Sequence, residues 1–293
     1  MAFKKRLPRQ SSRQTQAENL DPIEMEEFEE ILEGLNTEFF DAVADEPSPL
    51  LAESLLLTEM MPVENLDVVR NESVAQRLVG HLENHGHAAS LLALLILEQS
   101  ENRNLRYAAK KAVKNLRKSG VEYPAWGTEL TQKIEPVQTI YAHTDDSGLT
   151  WLFTIFQRGK VRHGFFLALD EDFCGEILDI VPIENDNVDE VAEQMRAGTF
   201  LEGEEIPVSV EDLTRGRAGF YLTSAVETSM EHRQVELDVP YNSVEEEVQA
   251  TVQSSFIGML AYRLSQVELL SMEAGHGNHV LTERPPECPF YEG

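Results

Sequence analysis

The chain has 293 residues, 42% of them hydrophobic, and a formal net charge of −28. That apolar share can build a sizeable core and excludes a wholly disordered chain, while no run approaches the ~18 uninterrupted apolar residues of a membrane span. Two distant cysteines, Cys174 and Cys288, exclude a disulfide framework.

Residues 1–17 carry five basic and no acidic side chains, and residues 18–101 carry twenty acidic and two basic ones. Residues 102–118 carry seven basic and no acidic, and residues 119–293 carry thirty-two acidic and ten basic. Half of the basic residues therefore sit in two short segments. The acidic bulk disfavours general nucleic-acid binding and makes a concentrated positive patch conspicuous.

The N-terminal cations are not followed by an apolar signal-peptide core, so a cytoplasmic protein with no membrane association is expected. Residues 1–46 are expected to form a disordered basic tail followed by an acidic amphipathic segment. In that segment Met25, Phe28, Ile31, Leu32, Leu35 and Phe39 recur at helical spacing. It reads either as a loosely attached first helix of the helical domain or, laid over the basic helix, as an autoinhibitory segment. A break is expected at Glu46, Pro47, Ser48 and Pro49.

From 47 to 120 the pattern predicts helical hairpins, read as a HEAT-like unit. Helices are expected over Pro49 to Met60, Asn71 to His85, His87 to Gln99 and Leu105 to Ser119, with Gly86 and Gly120 as stops. The third is apolar nearly all round and should be the buried central helix.

Residues 134–272 are expected to form an α+β domain. Four strands, Val137 to Thr144, Leu149 to Gln157, Val161 to Leu169 and Glu176 to Ile183, alternate with short Gly/Asp connections and predict a four-stranded antiparallel meander. A helix over Val188 to Ala197 follows. Ser209 to Asp212 reads as a capping box opening another helix. Ser243 opens a long one reaching about Met272, with Val244, Val248, Val252, Phe256, Met259 and Leu260 as its apolar stripe. Residues 273–293 read as a loose tail. The fold class expected is α+β, predominantly helical, with HEAT-like helical hairpins, the meander and C-terminal helices.

The segment Leu105 to Val121, a basic amphipathic helix closed by Gly120 and Val121, resembles a motif in a group of uncharacterised bacterial proteins. In that group a short HEAT-like helical region ends in such a helix and a β-meander follows. The resemblance covers about residues 70–230. It implies the layout and carries no catalytic or ligand residues.

The basic helix is the strongest candidate site. Leu105, Ala109, Ala112 and Leu116 share one face, while Arg103, Arg106, Lys110, Lys111, Lys114, Arg117 and Lys118 form a cationic ridge. Such a ridge is either a solvated face neutralised by the chain's own carboxylates or a docking surface for an acidic protein or a nucleic-acid backbone. The function expected is a non-catalytic binding or adaptor protein with no resident cofactor. The alternative is a metal-dependent hydrolase. In a meander the first and third turns share one end, which would gather Asp145, Asp146, Asp170, Glu171 and Asp172 to hold Mg²⁺ or Ca²⁺ through oxygen; equally, aspartate favours turns for local reasons. His81, His85 and His87 read as structural histidines before zinc ligands, and His276, His279 and Cys288 form a weaker metal set. No phosphate-binding glycine loop, nucleophile elbow or Cys-x-x-Cys pair is present.

Overall fold

The computed structural model describes residues 28–29, 31–60, 72–100, 102–144, 148–171, 174–185, 187–200, 208–236 and 243–267. It is an α+β fold with a five-stranded antiparallel sheet and several helices. The expected basic tail, the start of the acidic segment through residue 27, and the expected tail at 273–293 lie outside the described residues.

Residues 28–29 and 31–34 are helical, and α1 (Thr37–Asp45) follows, capped by the Asn36 side chain, which accepts from Phe39 N. Phe28, Ile31, Leu35, Phe40 and Val43 are buried, so the acidic segment is part of the core. Next come α2 (Pro49–Met60), α3 (Glu72–His85), α4 (Ala88–Leu97) and α5 (Arg103–Lys118). Residues 89–97, nearly the whole of α4, are buried, as its uniform apolarity predicts, with α1, α2, α3 and α5 packed around it. Asn102 caps α5 through its side chain. Gly120, at φ +91°, ends it: Val121 N donates to Leu116 O and Gly120 N to Arg117 O, a closure that needs a left-handed residue.

A 3₁₀ turn (Ala125–Thr131) leads into β1 (Ile134–His143), β2 (Leu149–Arg158), β3 (Val161–Asp170) and β4 (Glu176–Glu184). After α6 (Asn187–Ala197) come β5 (Ser209–Asp212), α7 (Arg215–Glu236) and α8 (Val244–Gln266). The strand order is β4-β3-β2-β1-β5. The expected four-strand count is thus corrected to five. Ser209 to Asp212 does not open a helix but pairs antiparallel with Ile140 to His143 along the edge of β1.

Arg158 and Val161 face each other across the two-residue turn at Gly159 and Lys160, with Gly159 at φ +61°. The ladder shifts register at Val137, after Pro136, and at Leu178 in β4. Both residues are exposed apolar side chains, as bulged positions allow.

Both faces of the sheet are covered, which explains why β2 is buried along nearly its whole length. Trp151, Phe153 and Ile155 pack with Val188, Ala192 and Met195 of α6. On the other face Leu152, Phe156, Phe165 and Leu167 join Leu222 and Val226 of α7, Ile257 and Leu260 of α8, and the helical core. The apolar stripe expected along α8 holds only over its C-terminal half: Val244, Val248 and Val252 are exposed, while Phe256 is half-buried and Met259 and Leu260 are buried.

Gly164 on β3 has no room for a side chain. A Cβ there would meet Phe153 Cε2 at 2.6 Å and the Thr154 carbonyl oxygen at 2.9 Å. Gly164→Ala is expected to lower the unfolding free energy by about 1–3 kcal/mol through overpacking. Urea unfolding with an unshifted midpoint would show that the Phe153 ring gives way freely.

Candidate functional site

α5 holds the ridge. Its apolar face, Leu105, Ala109, Ala112, Val113 and Leu116, is buried among the helices and fixes the rotation of the whole element. All seven cations, Arg103, Arg106, Lys110, Lys111, Lys114, Arg117 and Lys118, are exposed. They divide into two rows. Arg106 donates to the Ser100 carbonyl (3.2 Å), Lys110 pairs with Glu98 (3.8 Å), and the Arg117 guanidinium lies over the Tyr123 ring. Arg103, Lys111, Lys114 and Lys118 have no ion-pair partner among the described residues.

The acidic segment does not cover this ridge with the carboxylates described. Glu29 pairs with Arg77 of α3, and Asp41 with His87 (3.1 Å) at the start of α4. Asn115, beside the ridge, is held by Glu83 of α3 (2.8 Å).

A second cluster was missed by sequence reasoning. Glu53 of α2 is 1% exposed, Arg158 of β2 is 6% and Arg263 of α8 is 0%. Glu53 accepts four hydrogen bonds: Arg158 Nη1 and Nη2 donate at 2.8 Å each, and Arg263 Nη1 and Nη2 at 2.8 and 2.5 Å. Arg263 Nε donates to His163 Nε2 (3.1 Å), which leaves the imidazole hydrogen on Nδ1. Burial alone would raise the Glu53 pKa, but the two guanidiniums overcome it and hold the carboxyl well below its ordinary value. The signal for this site was a charge set among apolar neighbours, Glu53 between Leu50, Leu51, Leu55 and Leu56 and Arg263 after Met259, Leu260 and Tyr262, since such charges are kept buried only when paired.

A cavity of about 30 Å³ borders the cluster, walled in part by Leu50, Arg162, His163 and Glu184. That is room for water, not for an organic substrate. Both Glu53 oxygens are already saturated, so the carboxylate is not poised as a base. The cluster acts as a fastener joining α2, the sheet and α8.

His163 makes this fastener sensitive to pH. Burial, reinforced by Arg263 and Arg158, pushes its pKa well below the ordinary 6.5. The unfolded chain therefore takes up a proton near pH 6.5 that the folded chain refuses, and stability falls as pH drops below that value. In His163→Gln the fall in unfolding free energy between pH 6.5 and about 5 should be shallower. An unchanged slope would assign the dependence to other groups.

Of the carboxylates proposed for a metal, Asp145, Asp146 and Asp172 lie outside the described residues. Asp170 stands opposite Leu149 at the end of β3, and Glu171 N donates to the Gly148 carbonyl (2.7 Å), so the first and third turns do meet. Glu171 is occupied: it accepts from the hydroxyls of Thr150 (2.7 Å) and Tyr141 (3.3 Å). Burial and the Glu171 charge raise the Tyr141 pKa.

The histidines lie close together, His85 with ring centroids 6.2 Å from His81 and 6.4 Å from His87. Each has local work. His81 Nε2 lies 3.0 Å from the Leu35 carbonyl, His85 Nε2 meets Thr37 Oγ1, and His87 Nδ1 caps α4 by accepting from Ala89 N. Burial and the neighbouring imidazoles lower the His85 pKa. Among the described residues no group of three or more His, Cys, Asp or Glu is arranged to hold a metal ion. His276, His279 and Cys288 lie outside the described residues. No helix among the described residues is long and apolar enough to cross a membrane.

Comparison with protein-family models, with curated proteins and with solved structures finds no match to this chain.

Proposed function

We propose that this chain is a non-catalytic binding or adaptor protein that docks an anionic partner through α5. One observation carries the reading: on a chain of net charge −28, Arg103, Lys111, Lys114 and Lys118 stand in solvent without a carboxylate partner among the described residues. A face meant only to be solvated would draw on the surplus of acid around it. Arg103 and Arg106 also sit in the first turn of α5, where the helix dipole disfavours cations, so local helix stability does not account for them.

The test is retention of the full chain on heparin resin at rising salt. Retention lost in Lys111→Glu/Lys114→Glu supports the reading. Retention that persists in that variant sinks it. A HEAT-like character for α3 to α5 belongs to the same proposal and is supported by their mutual packing. We take the working location to be the cytoplasm, where anionic partners of this kind are abundant.

A further inference from the structure

We propose that the occupant of the α5 ridge is a single-stranded polynucleotide, its phosphates on Arg103, Lys111, Lys114 and Lys118 and one base stacked on Tyr107; this rests on the docking function above.

The argument starts from helix geometry. At about 100° per residue, Arg103, Lys114, Tyr107, Lys118 and Lys111 fall within one sector of about 80°. The cations satisfied within the protein, Arg106, Lys110 and Arg117, fall in the adjoining sector toward the buried face. The unpartnered cations thus form a stripe about one side chain wide and roughly 22 Å long at a rise of 1.5 Å per residue. A stripe of that width follows one backbone.

Tyr107 decides between kinds of anion. It lies one turn from Arg103 and one turn from Lys111, and it is 74% exposed. The ring neighbours found elsewhere in the protein do not include it, and no hydrogen bond holds its hydroxyl among the described residues. An acidic protein would use the cations, and at most the Tyr107 hydroxyl as a donor to a carboxylate, without needing the ring face. In a duplex the bases are already stacked and cannot reach it. A single strand offers both phosphates for the lysines and an unstacked base for the ring. With one stacking platform and the cations of the stripe spent on phosphates, the binding would be indifferent to sequence.

The experiment is fluorescence anisotropy with the full chain and a labelled oligo(U) of about 20 nucleotides, a length that exceeds a single-module site. Heparin serves as a base-free polyanion and a duplex of equal length as the double-stranded control. Tyr107→Ala should weaken oligo(U) binding about tenfold, leave heparin binding unchanged, and be rescued by Tyr107→Phe. Oligo(U) binding equal in Tyr107→Ala and the parent overturns the stacking proposal while the ridge stands. So does a duplex bound more tightly than the single strand, or heparin bound with oligo(U) ignored. Loss of binding to every polyanion by the parent chain sinks the docking function itself.

Discussion

Glu53→Gln is expected to lower the unfolding free energy by about 3–5 kcal/mol, the largest effect of any single change considered for this protein. For a domain of this size that corresponds to a fall in thermal midpoint of roughly 10 °C. The cause is what remains behind. Glutamine keeps the shape of the side chain but not its charge, so the guanidiniums of Arg158 and Arg263, both buried, face each other without an anion. Repacking cannot move them to water, because Arg158 is anchored in the sheet and Arg263 in α8.

The same reasoning orders the variants. Arg263→Met removes one cation and leaves Glu53 and Arg158 as a balanced bidentate pair, so it should cost less than Glu53→Gln. Calorimetric unfolding of the two proteins side by side checks this. If Arg263→Met is the more damaging, hydrogen bonding to His163 outweighs charge balance and the account is wrong. The acid limb provides an independent reading. The folded carboxyl titrates below its ordinary 4.5, so its contribution is fully present above that pH and declines below it. Glu53→Gln should flatten the loss of stability below pH 4.5.

What the sequence disclosed and what it hid divide along the distance between partners. The helix over Pro49–Met60 was legible because prolines bracket it, and α3 and α5 because Gly86 and Gly120 end them; each signal lies within a few residues of its effect. The hairpin at Gly159 was legible for the same reason. β5 was not. Ser209 to Asp212 contains one apolar residue and carries a capping pattern, and it is a strand only because the edge of β1, some seventy residues earlier, offers it hydrogen bonds. Val244, Val248 and Val252 show the limit of periodicity, which says which side chains share a face but not whether anything covers it. The two sites follow the same rule. The ridge is one helix, so its apolar and cationic faces could be read from spacing, while the exposure of the cations could not. The Glu53 cluster joins positions 53, 158, 163 and 263, and only tertiary packing brings them together.

Reversing two charges on the ridge, Lys111→Glu with Lys114→Glu, is expected to abolish measurable polyanion binding, with the fold intact because both side chains are exposed and outside the core. The measured quantity is the slope of log K against log salt concentration. Four unpartnered cations, each displacing a counterion from a single strand at about 0.7 per contact, predict a slope near −3. Neutralising one of them, as in Lys114→Ala, should make it shallower by about 0.7 and weaken binding moderately. Double reversal does more, since each new carboxylate repels the phosphate that its lysine had attracted. The control is Lys133→Glu with Lys160→Glu. It changes the net charge by the same amount at two exposed positions off the helix, and the Lys133 pair with Glu135 (3.7 Å) is a surface contact of little energetic weight. Exposed charges farther off than a Debye length, about 8 Å at physiological salt, are largely screened. The control variant should therefore keep most of its affinity at that ionic strength, while the ridge variant loses it. Equal losses in the two would mean that binding answers to the total charge of the molecule and that α5 is no specific surface.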